Sequence, residues 1–240
     1  MMQLVKKTMP LVLALLCTLD TDVALAQQAG GEDCGALTNA FGPYDYRVER
    51  GNNLSLVEGA HFTPPVEALI KGNAGYIGGD LDYTLRAFPN HHRALMSVMR
   101  YGEKMKKPHP SDLRYSVECY LERAVRFRPD DGIARMLYSM FLAKGNRVPE
   151  AIKQLDIAAS NAENQDNPFT HYNLGLNYMD LKEYAKAEEQ AHKAYGMGFL
   201  QPELKDRLKA LGKWTDKATD NPDSSASAPA EAASAAATQP

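Results

Sequence analysis

One triplet of small and apolar residues recurs three times along the chain. Val117, Leu121 and Ala124 precede Pro129; 34 residues on stand Ala151, Leu155 and Ala158, and a further 36 on stand Ala187, Ala191 and Ala194. The i, i+4, i+7 spacing puts each triplet on one face of a helix. Between the triplets, Tyr138, Ser139 and Leu142 are matched 36 residues later by Leu174, Gly175 and Tyr178. Two helices in each unit of this length predict an all-α chain of stacked hairpins. Each hairpin has an apolar face that it can bury only against a neighbour.

In the best copy, Gly175 and Ala187 are small where two helices must approach, and Leu174, Tyr178, Tyr184 and Ala194 fill the space around the crossing. The run from His171 through Ala187 and on to Ala194 resembles a tetratricopeptide repeat. It carries His171 where that family usually has Trp, and Ala191 where an aromatic is usual. Residues 133–161 resemble a degenerate second copy, with Gly145 in the inter-helix turn and Pro149 in the first turn of the next helix. An earlier copy runs from His91 to Pro129, its turn lengthened by Lys106–Pro110, and Gln201–Trp214 is expected to close the array as a capping helix. Residues 91–215 thus read as about three hairpins plus a cap, a short tetratricopeptide-type solenoid.

That resemblance implies a groove lined by the first helix of each hairpin. It nominates Tyr172, Asn173, Leu176, Met179 and Asp180. Asn173 stands where such domains use an amide to fix a bound peptide backbone, a task its donor and acceptor suit; the alternative is a consensus residue that solvates a groove wall. A carboxylate-clamping set of basic residues cannot be completed from the first-helix positions.

Met1–Ala26 carries Lys6 and Lys7, an apolar stretch from Met9 to Leu16, and Ala24-Leu25-Ala26 before Gln27. This reads as a secretory signal peptide. A membrane anchor would need about 20 apolar residues, and Thr18, Asp20, Thr21 and Asp22 interrupt the run; lipoprotein processing at Cys17 is disfavoured by the bulky Leu16 before it. No second apolar span follows. Cleavage would leave Cys34 and Cys119 in a compartment where disulfides persist. A bridge between them would staple an irregular N-terminal segment to a helical body. The alternatives are two buried thiols or an intermolecular bond. Neither cysteine belongs to a C-x-x-C pair, the usual mark of redox catalysis.

Residues 27–90 read as a partly irregular cap with short helices: one begins at Pro64-Pro65, and another, capped by Asp80, contains Leu81, Leu85 and Phe88. Together with the repeats, Cys34-Gly35, Phe41–Arg47, His61–Pro64 and Gly79–Asn90 resemble a group of exported bacterial repeat proteins without an established activity. Residues 216–240 read as a disordered tail: the last 20 residues hold eight Ala, four Ser and three Pro and no Val, Ile, Leu, Phe or Met, too little apolar surface to offset chain entropy.

The balance of 27 Lys+Arg against 30 Asp+Glu, without a basic block, disfavours a nucleic-acid partner. The sequence contains no nucleophile elbow, phosphate-binding glycine loop or His-Glu-x-x-His helix. His91 and His92 invite a metal reading, but adjacent residues point about 100° apart on a helix; a polar helix start is the plainer account, as capping is for Asp80 and Asp82. Met136, Met140 and Met179 could line an adaptable groove or fill a core. The expectation is a non-enzymatic, cofactor-free periplasmic or secreted adaptor or assembly factor that holds a protein or peptide partner of the cell envelope. The alternatives are an enzyme or metal-binding accessory using His91, His92 or Asp80, and a structural component of an envelope complex.

Overall fold

The computed structural model describes residues 33–163 and 165–216. The segment read as a signal peptide and nearly all of the segment read as a disordered tail lie outside the described residues. Ten helices and no strand are found among them: α1 (Asn52–His61), α2 (Pro64–Glu67), α3 (Ile77–Ala87), α4 (His92–Met105), α5 (Val117–Phe127), α6 (Gly132–Lys144), α7 (Val148–Ala162), α8 (Pro168–Asp180), α9 (Tyr184–Gly196) and α10 (Glu203–Ala210). No described helix is long and apolar enough to cross a membrane.

The helices form a repeating array. α6 lies along α7 and α8 along α9; α5 packs on α6 and α7 on α8; and α4, α6 and α8 touch in succession. All nine residues of the recurring triplets, on α5, α7 and α9, are buried. The close is repeated as well. Lys106, Asn146 and Lys182, each just beyond α4, α6 or α8, adopt left-handed backbone with φ of 53°, 59° and 62°. The next residue then returns its N–H to the last turn: Lys107 to Gly102, Arg147 to Leu142 and Glu183 to Tyr178. This arrangement satisfies helix-end carbonyls that have no intrahelical donor. Asn146, not Gly145, takes the left-handed position in the second turn, a conformation asparagine tolerates better than most residues.

Gly175 lies at a crowded point of the array, against α10 as well as α9. A Cβ there would lie 2.4 Å from Leu204 Cδ2 and 3.3 Å from the Ala187 carbonyl oxygen. Gly175→Ala is expected to cost about 1–3 kcal/mol through overpacking, read as a lower urea midpoint at unchanged slope. Gly102 plays a similar part in α4, its missing Cβ leaving room for Val117 Cγ2. Leu204 and Leu208 of α10 are buried against the last hairpin, while Leu211 is half exposed.

The N-terminal region departs from the expectation in two places. Asp80 is not a cap: α3 begins three residues earlier, at Ile77. The Asp80 side chain instead accepts from the Asn73 and Ala74 N–H groups and pairs with His61. Leu81 and Leu85 of α3 and Phe88 just beyond its end are buried and stand 36 positions before Val117, Leu121 and Ala124. α3 packs on both α1 and α4. It therefore repeats the role of α5, α7 and α9, and the array extends into the region read as an irregular cap.

A strap from Asp33 to Arg50 crosses the ends of these helices. Cys34 is disulfide-bonded to Cys119 of α5, with 85 residues of separation. Arg123, 1% exposed, donates to the carbonyl oxygens of Cys34 and Ala36, both at 2.8 Å, and lies 4.6 Å from the Tyr115 ring centre. Closing so long a loop is worth about 4–5 kcal/mol by chain entropy. Reduction leaves the Arg123 bonds in place, so the expected loss is about 2–4 kcal/mol, measured as the drop in unfolding midpoint on adding reductant.

Candidate functional site

The successive helices α4, α6 and α8 build one wall of the array, and two hollows open beside the C-terminal half of α6. The first, about 250 Å³, lies between α4 and α6 and is lined mainly by Met99, Gly102, Pro108, Val117 and Phe141. The second, about 190 Å³, lies between α6 and α8 and is lined by Ser139, Met140, Ala143, Asn177, Asp180 and Leu181. Lys144 borders both. Each is smaller than the roughly 300–1,000 Å³ of small-molecule sites, a size suited to single side chains. The first is apolar; the second carries an amide and a hydroxyl. Lys144 is tied across to Glu103 of α4 at 2.5 Å, while Lys107 on the rim has no partner among the described residues.

The five residues nominated for a groove are not brought into one open surface. Tyr172 and Met179 are core residues, 3% and 6% exposed. Tyr172 is covered from the side of α10, which packs on α8 as well as α9; its ring lies 4.4 Å from that of Phe199, in the segment leading to α10, and Met179 belongs to the same buried cluster. Leu176 is half-buried against the same core. Asn173 is half-buried, and its amide donates to the Phe169 carbonyl oxygen at 2.7 Å. Asp180 is exposed, borders the second hollow and pairs with Arg207 at 2.9 Å. Asn177, one turn beyond Asn173, lines that hollow. Its amide nitrogen donates to the Asn173 carbonyl oxygen, and its side-chain oxygen is an acceptor by valence. Met140 borders the second hollow, and Met136 is core.

A third depression, about 520 Å³, lies between the α8–α9 turn and residues 212–215. Its charges cancel, Lys182 and Lys213 against Glu183 and Glu188, and the Thr215 N–H is already given to Glu188.

The histidines and acids of the N-terminal region serve a buried polar junction. Asn90, wholly buried, donates to Asp45 Oδ1 at 2.7 Å and Asp131 Oδ2 at 2.8 Å, and its oxygen accepts the Tyr46 N–H. Asp131 caps α6 through the Ala134 N–H and receives His92 Nε2 at 2.9 Å. Burial alone would raise the Asp45 carboxyl, yet hydrogen bonds from Arg47 and Asn90 hold it well below the usual carboxylate range. Burial opposes ionisation of Asp131 too, and His92, Ala134 and Asn90 outweigh it. His91 caps α4: its Nδ1 accepts the Ala94 N–H, so Nε2 carries the proton and donates to Glu58 at 3.0 Å. Burial, reinforced by Arg93, pushes His91 down to about 3. Asp82 accepts from Tyr120 and pairs with Arg86. Among the described residues no group of three or more His, Cys, Asp or Glu side chains is arranged to hold a metal ion.

Sequence reasoning did not single out Asn177, Phe141 or Lys144. Asn177 has a weak signal, one turn after Asn173 on the same helix face.

Compared with family models, curated proteins and solved structures, the chain matches none.

Proposed function

We propose that this protein is an exported, non-enzymatic adaptor of the cell envelope, built as a tetratricopeptide-type array, that holds an extended segment of a protein partner across α6. The supporting observation is the pair of side-chain-sized hollows on either side of one helix, with Lys144 bordering both. Rigid helices carry the lining residues, so little ordering entropy is lost on binding. The bridge between Cys34 and Cys119 fits an oxidising compartment, in keeping with the signal-like start of the sequence.

The wall can be blocked without touching the core. Ala143 and Asn177 are half-buried on α6 and α8. Introducing Ala143→Arg and Asn177→Arg together should abolish partner recovery in affinity capture from the envelope while leaving the unfolding midpoint within about 1 kcal/mol of wild type. Full recovery by a folded double variant would reject the wall as the binding surface.

A further inference from the structure

The basic residues of this chain are unevenly spread. Residues 68–79, running from the end of α2 into α3, and residues 100–116, running from α4 to the start of α5, hold Lys71, Arg100, Lys104, Lys106, Lys107 and Arg114 against only Glu103 and Asp112, in a chain whose formal charge is −3. Three hydrogen bonds gather these segments at one end of the array. The Lys104 ammonium donates to the Leu69 carbonyl oxygen at 2.6 Å, which ties the loop before α3 to the last turn of α4. Asp112 Oδ2 accepts the Gly78 N–H at 2.9 Å and the Tyr101 hydroxyl at 2.7 Å, which ties the α4–α5 loop to the start of α3 and to α4. The acids are therefore engaged: Asp112 by these donors and Glu103 by Lys144, while Glu67 beside Arg100 pairs with Arg93. Lys71, Lys106 and Lys107 are exposed and have no partner among the described residues. The carbonyl end of α4 offsets only about half a charge.

Large apolar side chains stand in the same segments. Ile70, Tyr76 and Met105 are 74%, 81% and 43% exposed, and they line none of the three hollows described above. They project from two loops and a helix end instead of enclosing a groove. We propose that this end of the array docks on the surface of an anionic phospholipid bilayer, with Ile70, Tyr76 and Met105 entering the headgroup region and Lys71, Lys106 and Lys107 pairing with lipid phosphates. Such a surface is negative at its face and apolar beneath, which answers both halves of the patch. Tyrosine suits the boundary between the two layers, and lysine stems can lie along apolar surface while the ammonium reaches a phosphate. An acidic protein would answer the cations but would need a separate pocket for each projecting apolar side chain; a bilayer takes all three at once. The proposal gives the protein a location and does not depend on the wall around α6.

The test is flotation of the exported protein, in its mature form, with vesicles of phosphatidylglycerol and phosphatidylcholine mixed three to seven, and with vesicles of phosphatidylcholine alone. The mixed vesicles should carry the protein and the neutral ones should not. Raising salt from about 0.1 M to 1 M shortens the screening length from about 10 Å to 3 Å and should weaken binding about ten-fold or more. Each basic residue at an anionic surface is worth about five-fold in affinity, so Lys71→Gln, Lys106→Asn and Lys107→Gln together should cost about 100-fold. Asparagine is chosen at 106 because φ there is 53°, a conformation it tolerates. Ile70→Ser with Met105→Ser should cost about ten-fold. All five positions are exposed, so both variants should keep the wild-type urea midpoint. A spin label on the lipid should broaden the Ile70 and Met105 methyl signals of the wild type and spare those of Ile133 and Met197, which are 40% and 42% exposed on other segments. No flotation, equal binding to neutral vesicles, undiminished binding by the folded basic variant, or broadening of the control methyls alone would overturn the proposal. So would release by millimolar glycerol 3-phosphate, which would make the patch a site for a free phosphate, or tighter binding to polyglutamate than to vesicles, which would make it a surface for an acidic protein.

Discussion

Replacing Asn90 by Asp is expected to destabilise the protein by about 3–5 kcal/mol at neutral pH. The Asn90 amide stands 2.7 Å from Asp45 Oδ1 and 2.8 Å from Asp131 Oδ2, so Asn90→Asp puts a third carboxyl against two that are held ionised. Asn90→Ala leaves the same acceptors short of a donor without adding a charge, and should cost less, about 1–3 kcal/mol. Arg47 and Arg128 stay paired with Asp45 in both variants. Urea unfolding at pH 7 should rank wild type above Ala above Asp. At pH 5 the gap between Ala and Asp should narrow, because protonating the new carboxyl restores one donor. Equal stability of the Asp variant and wild type would show that the junction does not hold the strap to the helices.

A second large effect concerns acid. Burial pushes His91 down to about 3 in the folded protein, against 6.5 for an ordinary exposed histidine. Its folded pKa is depressed, so between these values the unfolded chain binds the extra proton and stability rises with pH. The contribution is present in full above about 6.5 and lost as pH falls toward 3, at up to about 1.4 kcal/mol per unit. From pH 7 to pH 4 this predicts a loss of about 3 kcal/mol. Asp45 and Asp131, also depressed, give a loss of the same sign at lower pH, below the 3.8 of an ordinary aspartate. Glu58 and Arg93 both face the His91 ring, and Tyr46 lies over it at 4.1 Å. His91→Asn keeps a capping oxygen for the Ala94 N–H and removes the titrating ring. The variant should lose stability overall and lose most of its slope between pH 4 and 6.5. An unchanged slope would assign the acid sensitivity elsewhere.

Both effects arise in the junction, which was the least legible part of the sequence. The nine triplet residues could be read because helix periodicity and a repeat interval are local signals, and burial then follows from stacking. The α3 copy carries a related signal at a similar interval, but the glycines at 72, 75, 78 and 79 interrupt the sequence around its start and obscure it. Asn90 and Asp131 are 41 residues apart and Asn90 and Asp45 are 45 apart. Nothing local marks them as partners, because they meet only after the strap, α3 and α6 have packed. The site shows the same limit. The first-helix face of α8 is legible, but Tyr172 is covered by the approach to α10 and Met179 lies in the buried core. The open part of that face depends on which side α6 occupies. Phe141 and Lys144 lie on α6, so no inspection of the best repeat alone would have included them.

Site-specific photocrosslinking in the native cell tests the binding surface most directly. The reactive residue is placed at Met140 or Asn177, which line the second hollow, with a control at the exposed Lys153 of α7. The account predicts one protein partner captured from both wall positions and not from the control. Capture from Lys153 alone, or from none of the three while the protein is exported and folded, would contradict it.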